Sequence, residues 1–127
     1  MDMEYWLENL KSENKEIKLI AIEMLGLSGD LKAVNSLVGQ LGSDDEEIRA
    51  CIVESLGVLN DSRAVKYLAG AMEDKSGGVR KCAAWALGKM KDPRSAYALE
   101  KALNDQDFDV RWRVAEALTA MGFKTVR

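Results

Sequence analysis

Apolar residues along this chain recur at helical spacing in short runs, and the runs themselves recur. Val110, Val114, Ala117 and Met121 fall at i, i+4, i+7 and i+11, which is one stripe of an α-helix, with Leu118 beside it. Near the start the same stripe reads Ile17, Ala21, Met24 and Leu25. Shorter runs lie between: Val34, Leu37, Leu41; then Val65, Leu68, Met72; then Ala96, Leu99, Leu103. Met3, Trp6 and Leu10 fit that second column. No useful length of strand-like alternation interrupts them, which argues against an α/β fold.

The runs keep a constant register. Leu25-Gly26, Leu56-Gly57, Leu87-Gly88 and Leu118 are each 31 residues apart, as are Ile17-Lys18, Ile48-Arg49, Val79-Arg80 and Val110-Arg111. Such a period marks a solenoid, in which each unit stacks on its neighbours because none can bury its apolar face alone. Capping residues complete the layout. Asp30, Asp61 and Asp92-Pro93 open the first helix of a pair, and Asn14, Asp45, Ser76 and Asp107 open the second. The pattern predicts eight helices in four antiparallel pairs, near 2–11, 14–28, 30–42, 45–59, 61–73, 76–90, 92–104 and 107–121. Residues 1–127 then form a single domain with repeats near 1–29, 30–60, 61–91 and 92–127.

The run Val79-Arg80-Lys81-Cys82-Ala83-Ala84-Trp85-Ala86-Leu87-Gly88, followed by Asp92-Pro93-Arg94 and Leu99, closely resembles the HEAT-like repeat of the phycobilisome-lyase type. Departures from its pattern are Lys18 for arginine, Cys51-Ile52-Val53 where alanines are usual, and Thr119 for glycine. The resemblance implies an all-α, right-handed α–α superhelix, a HEAT-like solenoid whose second helices line a concave face that binds other macromolecules. It does not imply lyase chemistry, because a fold does not carry a function.

With the inward stripe assigned, the opposite face of each second helix follows. It carries Glu16, Leu19, Glu23 and Leu27, then Glu47, Ala50, Glu54 and Val58, then Gly78, Lys81, Trp85 and Lys89, and last Asp109, Trp112, Glu116 and Ala120. Two tryptophans thus share the open face, at a spacing that allows one patch. Trp and Arg dominate interface hot spots, so the candidate partner-binding residues are Lys81, Trp85, Lys89, Trp112, Arg113 and Glu116, with Glu54 and Glu23 forming an acidic column beside them. The recurring Lys18, Arg49, Arg80 and Arg111 are assigned instead to hydrogen bonds between repeats, with the recurring first-helix Asp residues as partners.

Charge and composition sharpen this picture. The net charge of −3 hides an asymmetry: residues 1–72 carry −6 and residues 73–127 carry +3. Complementary partners, or head-to-tail self-contact through the terminal repeats, are the associations such a dipole steers. The acidic balance and mixed-sign face weigh against the nucleic-acid groove of HEAT-like DNA glycosylases, which stands as one alternative. A bilin-lyase or phycobilisome-associated subunit is the other, implied by the family resemblance alone. Histidine is absent, so the His-Glu motifs of HEAT-type iron-dependent hydroxylases have no counterpart. Cys51 and Cys82 are expected to be free thiols, with no histidine to act as base. Gly77-Gly78 follows no strand and precedes no Gly-Lys-Ser/Thr, so it reads as a helix-start irregularity rather than a phosphate loop. With no apolar run long enough to span a bilayer and an acidic start, a cytoplasmic location is expected. The expectation is a non-catalytic protein-interaction scaffold with no cofactor and no metal, monomeric or weakly self-associating, that holds a protein partner.

Overall fold

The computed structural model describes residues 1–123. Helices α1 (Met3–Asn9), α2 (Lys15–Leu27), α3 (Ala33–Val38), α4 (Glu46–Leu59), α5 (Val65–Ala71), α6 (Gly77–Met90), α7 (Ala96–Lys101) and α8 (Phe108–Ala120) make up four antiparallel pairs, with no strand among the described residues. The second helices stack in one row, α2 on α4, α4 on α6 and α6 on α8. Their starts follow the expected caps. Asn14, Asp45, Ser76 and Asp107 each accept from a backbone N–H of the first turn, satisfying donors the helix cannot.

The first helices are shorter than the 10 to 13 residues expected. Asp61 and Asp92 do cap, accepting from the backbone N–H of Arg63 and Arg94 at 2.9 Å, but each opens a 3-10 turn (Ser62–Ala64 and Pro93–Ser95) before the α-helix begins. The α-helical part is then only six or seven residues. This tighter winding ends what apolar spacing alone reads as one continuous helix.

Between the two rows runs a single core that includes Leu25, Leu37, Leu56, Leu68, Leu87, Leu99 and Leu118. Each such side chain contributes about 2 kcal/mol by leaving water. The exceptions to the expected stripe are Ile17, which is 40% exposed, and Met24 and Met121, which are half-buried. Met24's column-mates Ser55, Ala86 and Ala117 each pack on the glycine of the cassette before, at Gly26, Gly57 and Gly88. A Cβ added to those glycines would lie 2.7–2.8 Å from the neighbouring side chain, so the Leu-Gly column is what lets second helices approach. Ser55 uses the closeness to donate its hydroxyl to the Ile22 carbonyl at 3.1 Å.

Arginines bolt the stack together, with partners other than those the sequence suggested. Arg49 donates Nε and Nη2 to Asp74 at 2.9 and 3.1 Å and Nη1 to the Ser43 carbonyl at 2.8 Å. Arg80 repeats this on Asp105 and the Asp74 carbonyl. The cap residues Asp61 and Asp92 are instead taken by Arg63 and Arg94, two residues on, which is why they are not available to the ladder. Those two guanidiniums also reach back to the carbonyls of Leu31 and Ser62, adding a second tie between cassettes.

Gly77 opens α6 as a regular first turn rather than the irregular start expected, and a Cβ there would lie 2.5 Å from an Asp107 carboxylate oxygen. Each second helix is followed by a left-handed residue: Gly29, Asn60, Lys91 and Gly122, with φ of 69°, 56°, 55° and 91°. Phe123 donates its N–H to the Leu118 carbonyl and is 42% exposed, and Val126 lies outside the described residues.

Candidate functional site

The faces of α2, α4, α6 and α8 turned away from the core form one surface. Glu23, Glu54, Lys89 and Glu116 are exposed on it, and Lys81, Trp85 and Arg113 are half-buried. Between α6 and α8 this surface dips into an open cleft of about 540 Å³. Of the expected residues, the cleft brings together Trp85, Lys89, Arg113 and Glu116. Its floor consists of Ala84, Gly88, Ala117 and Ala120, whose small side chains leave the space open.

The two tryptophans do not share this cleft. The Trp85 ring lies toward α4, with Cζ3 3.1 Å from where a Gly57 Cβ would be. Trp112 belongs to the column of Leu19, Ala50 and Lys81, which are half-buried, and is itself 58% exposed. Where α4 passes that column, Cys51 Sγ donates to the Leu19 carbonyl at 3.9 Å. Trp112, Lys81, Glu54 and Glu23 therefore flank the cleft rather than line it.

Lys91 also lines the cleft, and the helical-wheel reading missed it. The wheel ends with α6 at Met90, and a residue in the left-handed turn beyond has no place on it. The available signal was its column, in which glycine or asparagine stands at every other copy. Arg113 donates to Glu116 at 3.2 Å, an exposed pair one helical turn apart. Lys89 and Lys91 form no ion pair among the described residues, so the rim carries two uncommitted cations.

The cysteines sit side by side at the edge of this surface and are free thiols, half-buried. Burial, aided by Glu54 and Glu23, pushes the Cys51 thiol up to about 11. Burial and Glu54 push Cys82 upward as well, against Lys81 and Arg113. On the opposite face a groove of about 440 Å³ lies between α5 and α7. Its lysine, Lys101, is already engaged, 3.6 Å from Glu73 and 5.4 Å from the Tyr97 ring centre.

Stacked helix pairs joined by short turns, with the second helices presenting one continuous face, define an α-solenoid. The family model for HEAT repeats matches residues 3–81 and again 40–119, and the chain belongs to that family. Among solved structures, it is similar to the complex of CpcE and CpcF of phycocyanin lyase from Nostoc sp. PCC7120, at 26% identity and a TM-score of 0.86, over 96% of this chain and 54% of that one. It is also similar to human deoxyhypusine hydroxylase, at 26% identity and a TM-score of 0.83, over 95% of this chain and 43% of that one. An engineered protein at 22% identity and a TM-score of 0.70, matched over 95% of this chain and 63% of that one, shares the fold. The chain thus spans about half the length of the first two relatives. No curated protein matches the sequence significantly.

The expected all-α, HEAT-like solenoid of the phycobilisome-lyase type is what these neighbours have. The expectation that the chain is not an enzyme is corrected by them: phycocyanin lyase and deoxyhypusine hydroxylase are both enzymes, so this fold at this degree of likeness includes catalytic proteins. The expectation rested on the missing histidine, and the absence of one residue type does not exclude catalysis. Among the described residues no helix is long and apolar enough to cross a membrane.

Proposed function

We propose that this chain is a protein-interaction module that holds a segment of a partner on the concave face of its second helices. Trp85 is the anchor. Lys81, Lys89, Arg113 and Glu116 orient the partner, and Trp112, Glu54 and Glu23 extend the contact along the face. The observation that carries this reading is the cleft between α6 and α8, where a half-buried indole, a floor of small side chains and uncommitted lysines converge. Interface hot spots have that composition, an aromatic anchor ringed by polar groups. The similarity to a structure that is itself a complex of two proteins supports a protein partner.

The reading is tested by photo-crosslinking in cells, with benzoylphenylalanine placed at Lys81 on the concave face or at Lys66 on α5. A discrete adduct from position 81 and none from position 66 is the expected result. Equal adducts, or adducts only from position 66, would sink it.

A second reading follows from the similarity to the phycocyanin lyase complex. We infer from it a lyase-type subunit that acts on a bilin-bearing protein, since 96% of this chain superimposes on about half of a phycocyanin lyase chain. Mixing the chain with a free bilin should then shift the chromophore's visible absorbance, and an unchanged spectrum would remove this reading.

A further inference from the structure

Lys91 sits in a conformation that its type disfavours. The equivalent positions hold Gly29, Asn60 and Gly122, residues that adopt a left-handed backbone readily, whereas a lysine at φ 55° crowds its own Cβ. The strained residue is also the one whose side chain lines the α6/α8 cleft, next to Lys89 and Arg113. Strain persists where it serves something beyond the local turn. Here it places a third cation on the rim of a cleft that already holds an indole.

We propose that this cleft recognises an acidic segment of a partner protein, with one bulky apolar side chain against Trp85 and flanking carboxylates on Lys89 and Lys91. The inference rests on the concave-face reading and narrows it to one pair of helices and one partner chemistry. Charge complementarity selects the occupant. Residues 73–127 carry +3 and residues 1–72 carry −6, so an acidic segment is drawn to the last two cassettes and repelled from the first two. Glu116 opposes it inside the cleft, but its charge is met by Arg113. The indole and the alanine floor supply the apolar contact that gives the segment its register.

The experiment is a selection of 12-residue peptides from a displayed random library on the whole chain, followed by fluorescence anisotropy of the enriched peptides. The expected consensus is Asp or Glu on both sides of one large apolar residue. Trp85→Ala should weaken those peptides about tenfold or more, as loss of a hot-spot anchor does. Lys91→Gly should weaken them about threefold, the scale of one exposed charge. That variant relieves strain and should raise the melting temperature by about 4 °C, so its weaker binding cannot come from unfolding. A basic or uncharged consensus, no enrichment, or peptides indifferent to both variants would overturn the proposal. So would displacement of the peptides by a 20-base-pair DNA duplex at equal concentration. Peptides that respond to Glu23→Gln and Glu54→Gln but not to Lys91→Gly would leave the concave-face reading standing and overturn this inference alone.

Discussion

Arg80 grips Asp105 through two hydrogen bonds, Nε at 2.8 Å and Nη2 at 3.2 Å, while Nη1 donates to the Asp74 carbonyl at 2.7 Å. Both side chains of the pair are about one-tenth exposed. Removing the cation would leave the Asp105 carboxylate buried with the Asp107 N–H as its remaining hydrogen-bond donor. Arg80→Ala should therefore cost about 3 kcal/mol of unfolding free energy, more than most single changes. Arg111 makes one bond, from Nη1 to the Asp105 carbonyl, and Arg111→Ala should cost about 1 kcal/mol. Urea denaturation of the two variants checks this, and equal losses would refute the ladder's role.

The same pairs make the fold sensitive to acid. Burial pushes the Asp74 carboxyl up, but the Arg49 fork and the Ser76 N–H outweigh it and hold the group below its ordinary value. Asp105 behaves alike, with Arg80 and the Asp107 N–H overcoming burial. A carboxyl with a lowered folded-state pKa stabilises the fold fully above its unfolded value, roughly 4, and that stability is lost as pH falls through the folded value. Stability measured by urea should thus hold steady near neutrality and drop below about pH 4. The drop should be shallower in an Asp74→Asn, Asp105→Asn variant, which starts out weaker. An equal drop would assign acid unfolding to other groups.

Most of the architecture was legible because the repeat writes each contact several times. One Leu-Gly pair says little, but three in register mark the line along which helices approach, and Gly57 opposite Ala86 is that line in space. The site was legible only in part, for a geometric reason. A helical wheel assigns Trp85 and Trp112 to one face, yet it cannot say which neighbour each ring leans on. Trp85 leans over Gly57 of the preceding cassette, and Trp112 stands 58% exposed in the column of Leu19, Ala50 and Lys81. The Arg80 partner was misassigned because the cap column recurs three times, as Asp30, Asp61 and Asp92, whereas Asp105 has only Asp74 as an acidic column-mate. Only the local fork of Arg94 onto Asp92 decides between them.

The thiols should react slowly. With its thiol pushed up to about 11, Cys51 has little thiolate at neutral pH, and burial lowers access to both sulfurs. Iodoacetamide should label the folded chain more than about tenfold slower than free cysteine at pH 7.5, followed by mass spectrometry. Denaturation should restore the ordinary rate. Fast labelling of the folded chain would show that the concave surface opens at its edge.

Glycines of this chain divide by what a methyl group would meet, and the division predicts opposite signs. At Gly88 an added Cβ would stand 2.8 Å from the Cα of Ala117, a backbone atom that can move only by parting α6 from α8. Gly88→Ala should cost about 2 kcal/mol by overpacking. Gly70, inside α5, has nothing within 4 Å of the same position. There alanine only reduces the freedom of the unfolded chain, and Gly70→Ala should stabilise by about 0.5 kcal/mol. The two variants differ by one methyl group each, so thermal melts compare them directly. Because Gly88 also forms the floor of the cleft, Gly88→Ala should weaken any ligand seated on Trp85, whereas Gly70→Ala should leave that binding unchanged. A stable, binding-competent Gly88→Ala protein would mean that the second helices are less tightly stacked than their spacing implies.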